Sequence, residues 1–147
     1  MLQLGEWNCA GQLQVARALG SSLKILLVDE NPLQASVRKS ILEKRFADVL
    51  RVTDAAEALC LVEQPKVAHG LSLVVSGHQL TGIGGPAFVA ELHTRIPSLP
   101  VLVLGDSIEE FAAYARDYVS FLCRPVQAEE LLATALRIVA QNAHMAT

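Results

Sequence analysis

Five short apolar segments, separated by stretches with helical character, constrain the fold of this chain more than any other feature. Each segment is too short for a helix and lacks helical periodicity, which favours a strand that is buried on both faces. The candidate strands are 23–28, 49–52, 71–76, 101–104 and 119–123. The pattern predicts an α/β domain built around a parallel sheet.

Helix starts follow the first two candidate strands. Asn31 is a candidate N-cap before Pro32, and the helix that begins there is predicted to reach about residue 46. Asp54 and Glu57 form a capping box for a second helix, which we expect Pro65 to stop. The predicted apolar face of the first helix consists of Leu33, Val37 and Ile41.

Three more helices complete the pattern. Pro86 starts a helix to about residue 96, and Ser107 with Glu110 forms a capping box for a short helix to about residue 117. A last helix is predicted from about 127 to 142, with an apolar stripe of Leu131, Leu132, Ala135, Ile138 and Val139. Because right-handed crossovers join parallel strands, we expect a doubly wound sheet, order 2-1-3-4-5, with helices on both faces, the flavodoxin-like arrangement.

The repeat defines the predicted domain organisation. A chain of 147 residues has the usual size of one domain, and the alternating pattern covers residues 23–142. Residues 1–22 form an N-terminal extension whose Leu13, Val15, Ala16 and Leu19 fit either a short extra helix or a loose arm. Residues 143–147 are predicted to be a tail.

Charge and hydropathy argue against two classes of partner. The chain has 12 Lys and Arg against 15 Asp and Glu, a net charge of −3, with the two signs interspersed, which does not favour nucleic-acid binding. Its apolar runs are far shorter than the ~20 residues that a membrane-spanning helix needs, and its start lacks the pattern of a secretory signal. We therefore expect a cytoplasmic protein that binds neither nucleic acid nor membrane.

The residues that follow the strands are the candidate functional residues. In doubly wound folds, function gathers at the carboxyl ends of the strands. Asp29 and Glu30 follow the first strand, Gly77 the third, Gly105 the fourth and Arg124 the fifth. Two adjacent acids at a strand end can ligate a hard cation, or they can simply cap the following helix.

At these positions the chain resembles the receiver domains of bacterial two-component response regulators, of the chemotaxis-regulator type. The resemblance covers about 23–141 and is carried by two segments, KILLVDEN at 24–31 and VVSGHQLTGIGG at 74–85. It places the family's acidic pair on Asp29 and Glu30. It places the phosphate-accepting aspartate on Gly77.

Three family positions are changed in this register. Gly77 has no carboxylate oxygen that could form an acyl phosphate. The hydroxyl that binds the phosphoryl group falls on Gly105, and the lysine before a proline falls on Arg124. Thr81 stands where a proline is usual, whereas Leu80 and the helix-opening Gly85 fit the family.

The resemblance also implies where Mg²⁺ would bind. The family's ligands are an acid of the pair, the accepting aspartate and a backbone carbonyl, so the candidate ligands here are Asp29, Glu30 and Gln79. Losing one carboxylate should weaken such a site strongly, so we expect a weak or absent Mg²⁺ site and no other cofactor. We expect Arg124 to lie against Asp29 or Glu30 instead.

These points predict a receiver-like domain that is not an enzyme and binds a protein without being phosphorylated. The expected partner is a histidine kinase, an output protein or another regulator, and a homodimer is an option. Two alternatives stay open. One is a conventional receiver phosphorylated on a displaced acid, Asp106 or Asp29, and the other is a flavodoxin-like small-molecule binder that uses the glycine loop 82–85. His78 is expected to be a solvated loop histidine.

Overall fold

The structure, a computed structural model, describes residues 23–115 and 117–146, with side chains described up to residue 142. The predicted extension 1–22 lies outside the described residues. Among the residues that are described, no helix is long and apolar enough to cross a membrane.

Five parallel strands form a single sheet in the described part of the chain. They are β1 (Lys24–Val28), β2 (Asp48–Val52), β3 (Leu71–Gly77), β4 (Val101–Gly105) and β5 (Val119–Cys123). Their order is β2-β1-β3-β4-β5, which confirms the predicted fold class and topology.

Helices connect the strands. They are α1 (Pro32–Leu42), α2 (Ala55–Val62), α3 (Pro65–Gly70), α4 (Gly85–Arg95), a 3₁₀ helix (Ile108–Ala113) and α5 (Ala128–Ala146). Pro65 therefore starts a short additional helix as well as ending the one before it, since its fixed φ suits a first helical turn. α5 continues four residues past its predicted end and includes the described part of the predicted tail, 143–146.

Two apolar layers cover the sheet, one on each face. Ile25 and Leu27 point into the layer beneath α1 and α5, whereas Leu26 and Val28 point into the layer that contains α2 and α4. All four side chains are fully buried. This explains why β1 is a continuous apolar run, because successive side chains of a strand point to opposite faces.

The predicted apolar face of α1 is wrong. Leu33 is 80% exposed and Val37 is 60% exposed, whereas the buried residues of this helix are Ala35, Arg38 and Leu42. The helix also ends at Leu42, four residues before the expected end. The buried face of the helix carries Arg38, which contacts the buried carboxylate of Asp29 directly after β1, and hydropathy alone does not select such a face.

The two predicted capping boxes have different outcomes. Asp54 accepts a hydrogen bond from the backbone N–H of Glu57 (2.9 Å), and Glu57 accepts one from the N–H of Thr53 (3.1 Å), so the α2 start is confirmed. Ser107 makes no side-chain cap bond, and the carboxylate of Glu110 accepts from the Asp106 N–H instead (2.9 Å). A 3₁₀ helix forms there in place of the expected α-helix.

Candidate functional site

A polar cavity of about 260 Å³ lies at the carboxyl ends of β1 and β3. Of the residues predicted for the phosphorylation pocket or the Mg²⁺ site, the ones that line it are Asp29, Glu30, Gly77, Gln79 and Arg124. Gly105 is not among its lining residues, although its carbonyl accepts a hydrogen bond from the Arg124 N–H (2.7 Å). The strand ends therefore do assemble most of the predicted site.

Asp29 is paired with a residue that the sequence did not single out. Only 6% of Asp29 is exposed, and its carboxylate accepts hydrogen bonds from Arg38 Nη1 (3.0 Å) and the Asn31 N–H (3.0 Å). The guanidinium of Arg51 donates to the backbone carbonyl of Asp29 (2.8 and 3.1 Å). The signal for Arg38 is its helical spacing from Ala35 and Leu42, which places a cation on the buried face.

Burial acts strongly on Arg38. Removal from water lowers the pKa of its guanidinium, the neighbouring Asp29 raises it, and the positive charge of Arg124 lowers it further, with a net lowering. Arg38 and Asp29 therefore form an ion pair in a poorly solvated place. Breaking such a pair leaves a buried charge without a partner.

Glu30 makes two contacts with the loop after β3. Its carboxylate accepts hydrogen bonds from the backbone N–H of Thr81 (2.6 Å) and from the Thr81 hydroxyl (2.8 Å). A proline at position 81 could donate neither bond. Threonine therefore ties the loop to the end of β1.

Arg124 does not pair with the acids of β1, so the expected contact with Asp29 or Glu30 is wrong. Its Nε lies 2.9 Å from Oδ1 of Asp106, and the two side chains are 38% and 55% exposed. Asp106 does not line the cavity. The position of Arg38 gives the reason, because the carboxylate of Asp29 already has a cation at hydrogen-bonding distance.

Two strand-end glycines have different surroundings. A Cβ added at Gly77, the last residue of β3, would have the Gln79 carbonyl oxygen as its nearest neighbour at 4.0 Å. A Cβ added at Gly105 would collide with the Glu110 carboxylate and the ring of Phe121. A side chain thus fits at Gly77 and does not fit at Gly105.

His78 is not a solvated loop histidine, contrary to expectation. Its side chain is 19% exposed, Nδ1 lies 2.8 Å from the Tyr114 hydroxyl, and Nε2 lies 3.9 Å from Oε2 of Glu110. Burial, and secondarily the charge of Glu110, raises the pKa of Tyr114. The ring of Tyr114 also lies near Phe121, at 6.2 Å between centroids. This network links the β3–α4 loop to the 3₁₀ helix.

Packing accounts for Gly85 of the loop 82–85. A Cβ at Gly85 would collide with the Tyr114 hydroxyl and lie 2.6 Å from the His78 carbonyl oxygen. The Gly85 N–H donates to that same carbonyl (3.0 Å), so it is not available to a phosphate. These contacts give no support to nucleotide binding at this loop.

Comparison with known proteins identifies the family. The model of the response regulator receiver domain matches residues 25–136. No curated protein was found to match the chain.

Solved receiver domains have the same fold. One from Clostridium thermocellum has a TM-score of 0.73 at 18% identity and covers 85% of this chain and 99% of its own. The signal receiver domain of an HD domain-containing protein from Pseudomonas fluorescens Pf-5 has a TM-score of 0.70 at 26% identity and covers 83% and 97%. A receiver domain protein from Methanospirillum hungatei JF-1 has a TM-score of 0.71 at 20% identity and covers 83% and 97%.

The match to the family model extends over most of the chain and includes all five strands of the described sheet. Receiver domains work in two-component signalling by interacting with other proteins, such as kinases and output domains. The chain belongs to the response regulator receiver domain family.

Proposed function

We propose that this receiver domain lacks the family's phosphate-accepting aspartate and acts by binding a protein partner independently of phosphorylation. The observation that carries the proposal is Gly77 at the end of β3, beside Asp29 and Glu30 in the cavity. An acyl phosphate requires a carboxylate oxygen as nucleophile, and glycine has none.

The contacts around the cavity support the proposal. Asp29 is paired with Arg38, and Arg124 is paired with Asp106. The carboxylate of Glu30 accepts two hydrogen bonds from Thr81. Arg124 already binds the Asp106 carboxylate through its Nε. Each of these charged side chains therefore already has a partner within the chain, a cation or anion for Asp29 and Arg124 and hydrogen-bond donors for Glu30.

The residues present do not fit Mg²⁺. A Mg²⁺ site of this kind uses one or two carboxylates with near-octahedral geometry. Asp29 and Glu30 are engaged by protein donors, Gly77 offers no carboxylate, and the remaining candidate is a backbone carbonyl at Gln79. Within the described residues, no three His, Cys, Asp or Glu side chains form a group that could hold a metal ion. We infer a weak or absent Mg²⁺ site.

The proposed role is a non-enzymatic one. A domain that neither accepts nor hydrolyses a phosphoryl group can regulate a pathway by occupying a surface of a histidine kinase, an output protein or another regulator. A homodimer that presents such a surface is compatible with this role. Signalling of this kind places the protein in the cytoplasm, and we propose that location.

The test is incubation of the protein with Mg²⁺ and a small acyl phosphate donor, followed by measurement of the intact mass. We expect no added phosphoryl group on the native protein. The matched variant is Gly77→Asp, at a position where an added Cβ meets no atom closer than the Gln79 carbonyl oxygen at 4.0 Å, and it should gain labelling that a further Asp29→Asn change reduces.

Stoichiometric labelling of the native protein would refute the proposal. Peptide mapping would then locate the modified acid. A phosphoryl group on Asp106 or Asp29 would establish the alternative of a displaced acceptor. Loss of labelling in Asp106→Asn or Asp29→Asn would confirm that assignment.

A further inference from the structure

Helix α1 exposes an apolar stripe on the side that faces away from its own core. Leu33 is 80% exposed, Val37 is 60% exposed, and Ile41, one turn further on, is partly buried. Of the large apolar residues that are exposed in the described part of the chain, Leu33 and Val37 are the two that share one helix. Exposed apolar residues that form a contiguous set mark interaction sites, whereas single ones are ordinary.

An apolar groove of about 320 Å³ adjoins this stripe. Its apolar lining residues are Val37 and Ile41 of α1, together with Pro125, Val126 and Leu131 at the start of α5. Leu131 belongs to the core layer beneath α1 and α5, and Ile41 and Val126 pack against that layer. The groove is thus an open extension of the core beside the stripe.

We infer that a second copy of this chain covers the stripe and the groove, through an antiparallel, two-fold symmetric pair of α1 helices. An apolar groove accepts an apolar helix face, and α1 itself presents one. In a two-fold pair the same surface of each copy meets the other, so every contact occurs twice. With Val37 on the two-fold axis, Val37 meets its own counterpart and Leu33 meets Ile41. All three kinds of residue in this contact are apolar.

The charges on this side of the domain favour the antiparallel direction. β1 and β2 are parallel, so α1 leads back from the carboxyl edge of the sheet to its amino edge, and α5 also begins at the carboxyl edge, after β5. The exposed acids Glu129 and Glu130 of the first turn of α5 therefore lie at the carboxyl edge. Exposed Lys44, which follows α1, lies towards the amino edge. An antiparallel pair brings the lysine of each copy towards the acids of the other, and a parallel pair would bring like charges together.

The size of the contact sets the expected affinity. Leu33 to Ile41 extends over about 12 Å of helix, whereas a standard protein interface buries roughly 800 Å² on each partner. A contact centred on so short a stripe belongs to the smaller interfaces, which are weak and reversible. We therefore expect a dimer with a dissociation constant on the order of tens of micromolar. Dimer formation does not require position 77 to be free of phosphate, so this inference goes beyond the proposed function.

Sedimentation velocity of the full-length protein tests for the dimer. Between about 5 and 500 µM, a range that brackets the expected dissociation constant, the average mass should rise from that of one chain towards that of two. Val37→Asp should weaken self-association about a hundredfold or more, because it places two carboxylates together on the two-fold axis. Ile108→Asp is the matched control and should keep the native behaviour, since Ile108 is 62% exposed and lies on the 3₁₀ helix. Circular dichroism verifies that each variant is folded.

Disulfide cross-linking tests the direction of the helix pair. Under mild oxidation Val37→Cys should link two chains about tenfold faster than Leu33→Cys, because only a residue on the axis meets its own counterpart. Leu33 is the more exposed of the two, so access to the oxidant would favour the opposite order. Combining Leu33→Cys with Ile41→Cys should restore fast linkage, between position 33 of one chain and position 41 of the other. The native protein, in which Cys60 is exposed, gives the background rate.

Three outcomes would overturn the inference. A native protein that stays monomeric up to about 500 µM would leave the stripe to a different occupant. Self-association that survives Val37→Asp would place the interface elsewhere on the domain. Linkage of Leu33→Cys as fast as that of Val37→Cys would contradict the antiparallel pair. None of these measurements involves a phosphoryl donor, so failure of the dimer and failure of the proposed function are distinguishable.

Discussion

At the scale of single residues, Gly77 and Gly105 are glycines for opposite physical reasons. The space beside Gly77 is open, so its lack of a side chain is a matter of chemistry and not of packing. The space beside Gly105 is filled by Glu110 and Phe121, so a side chain there cannot be accommodated without movement. An added Cβ at position 105 would therefore require neighbouring side chains to move, whereas an added Cβ at position 77 would not.

The first prediction compares these two glycines. Gly105→Ala should lower the free energy of unfolding by about 1–3 kcal/mol, the usual cost of overpacking. Gly77→Ala should change it by less than about 0.5 kcal/mol. Urea denaturation measures both. Equal effects of the two substitutions would contradict the packing described around Gly105.

The second prediction concerns the cation that neutralises Asp29. Arg38→Ala removes one partner of a buried ion pair and should cost about 3–5 kcal/mol of unfolding free energy, because the buried carboxylate of Asp29 then lacks its cation. Arg124→Ala breaks a largely exposed pair and should cost less than about 1 kcal/mol. If Arg124→Ala proved the more damaging in chemical denaturation, the assigned pairing would be wrong.

At the scale of secondary structure, side chains tie the connecting segments to the strand ends. Glu30 holds the loop after β3 through Thr81, and His78 holds the 3₁₀ helix through Tyr114. Phe111 of that helix stacks on Phe121 of β5, with 5.3 Å between ring centroids. The segments that follow β3 and β4 are thus connected to each other by contacts between side chains.

The third prediction follows from the buried hydroxyl of Tyr114. Its raised pKa means that the folded state favours the neutral phenol, while an unfolded tyrosine ionises near pH 10. The stabilisation that comes from keeping the Tyr114 phenol neutral is therefore complete below about pH 10. It is lost as the pH rises further. The stability of Tyr114→Phe should fall less steeply above pH 10 than that of the native protein.

The control for this prediction is the other tyrosine of the chain. Tyr118 is 43% exposed, so Tyr118→Phe is the matched variant at which no buried hydroxyl is removed. Unfolding in urea at several pH values between 9 and 11 measures the three slopes. Identical slopes for the native protein and Tyr114→Phe would show that the phenol is not held neutral by burial.

At the scale of the whole molecule, Asp29, Glu30, Arg38 and Arg124 around the cavity all have partners within the chain, which leaves little for a divalent ion to stabilise. A ligand that binds the folded state at 100 times its dissociation constant adds roughly 2.7 kcal/mol to the free energy of unfolding. The proposed function implies that Mg²⁺ adds no such amount here.

The fourth prediction tests whether Mg²⁺ stabilises the folded protein. Millimolar Mg²⁺ should leave the melting temperature of the native protein unchanged within error. Gly77→Asp should show a rise with Mg²⁺, because a carboxylate then stands beside Asp29 and Glu30 in the cavity. Millimolar Na⁺ at equal ionic strength controls for screening. A clear rise in the native protein would contradict the proposed loss of the Mg²⁺ site.

The amino-acid sequence was sufficient to predict the five strands, their order and the edge at which the candidate residues meet. The physical reason is local. A strand buried on both faces must be apolar throughout, and the carboxyl ends of parallel strands meet at one edge. This rule predicted that Asp29, Glu30, Gly77 and Arg124 meet, and the family resemblance added Gln79; all five line one cavity.

Tertiary structure decided which charged groups pair and which face of α1 is buried. Arg38, and not Arg124, neutralises Asp29, and Thr81 engages Glu30. Such pairs depend on atoms within about 4 Å that are distant along the chain, and sequence spacing does not specify those distances. The rotation of α1 follows from the same pairing, because burying Arg38 beside its carboxylate exposes Leu33 and Val37.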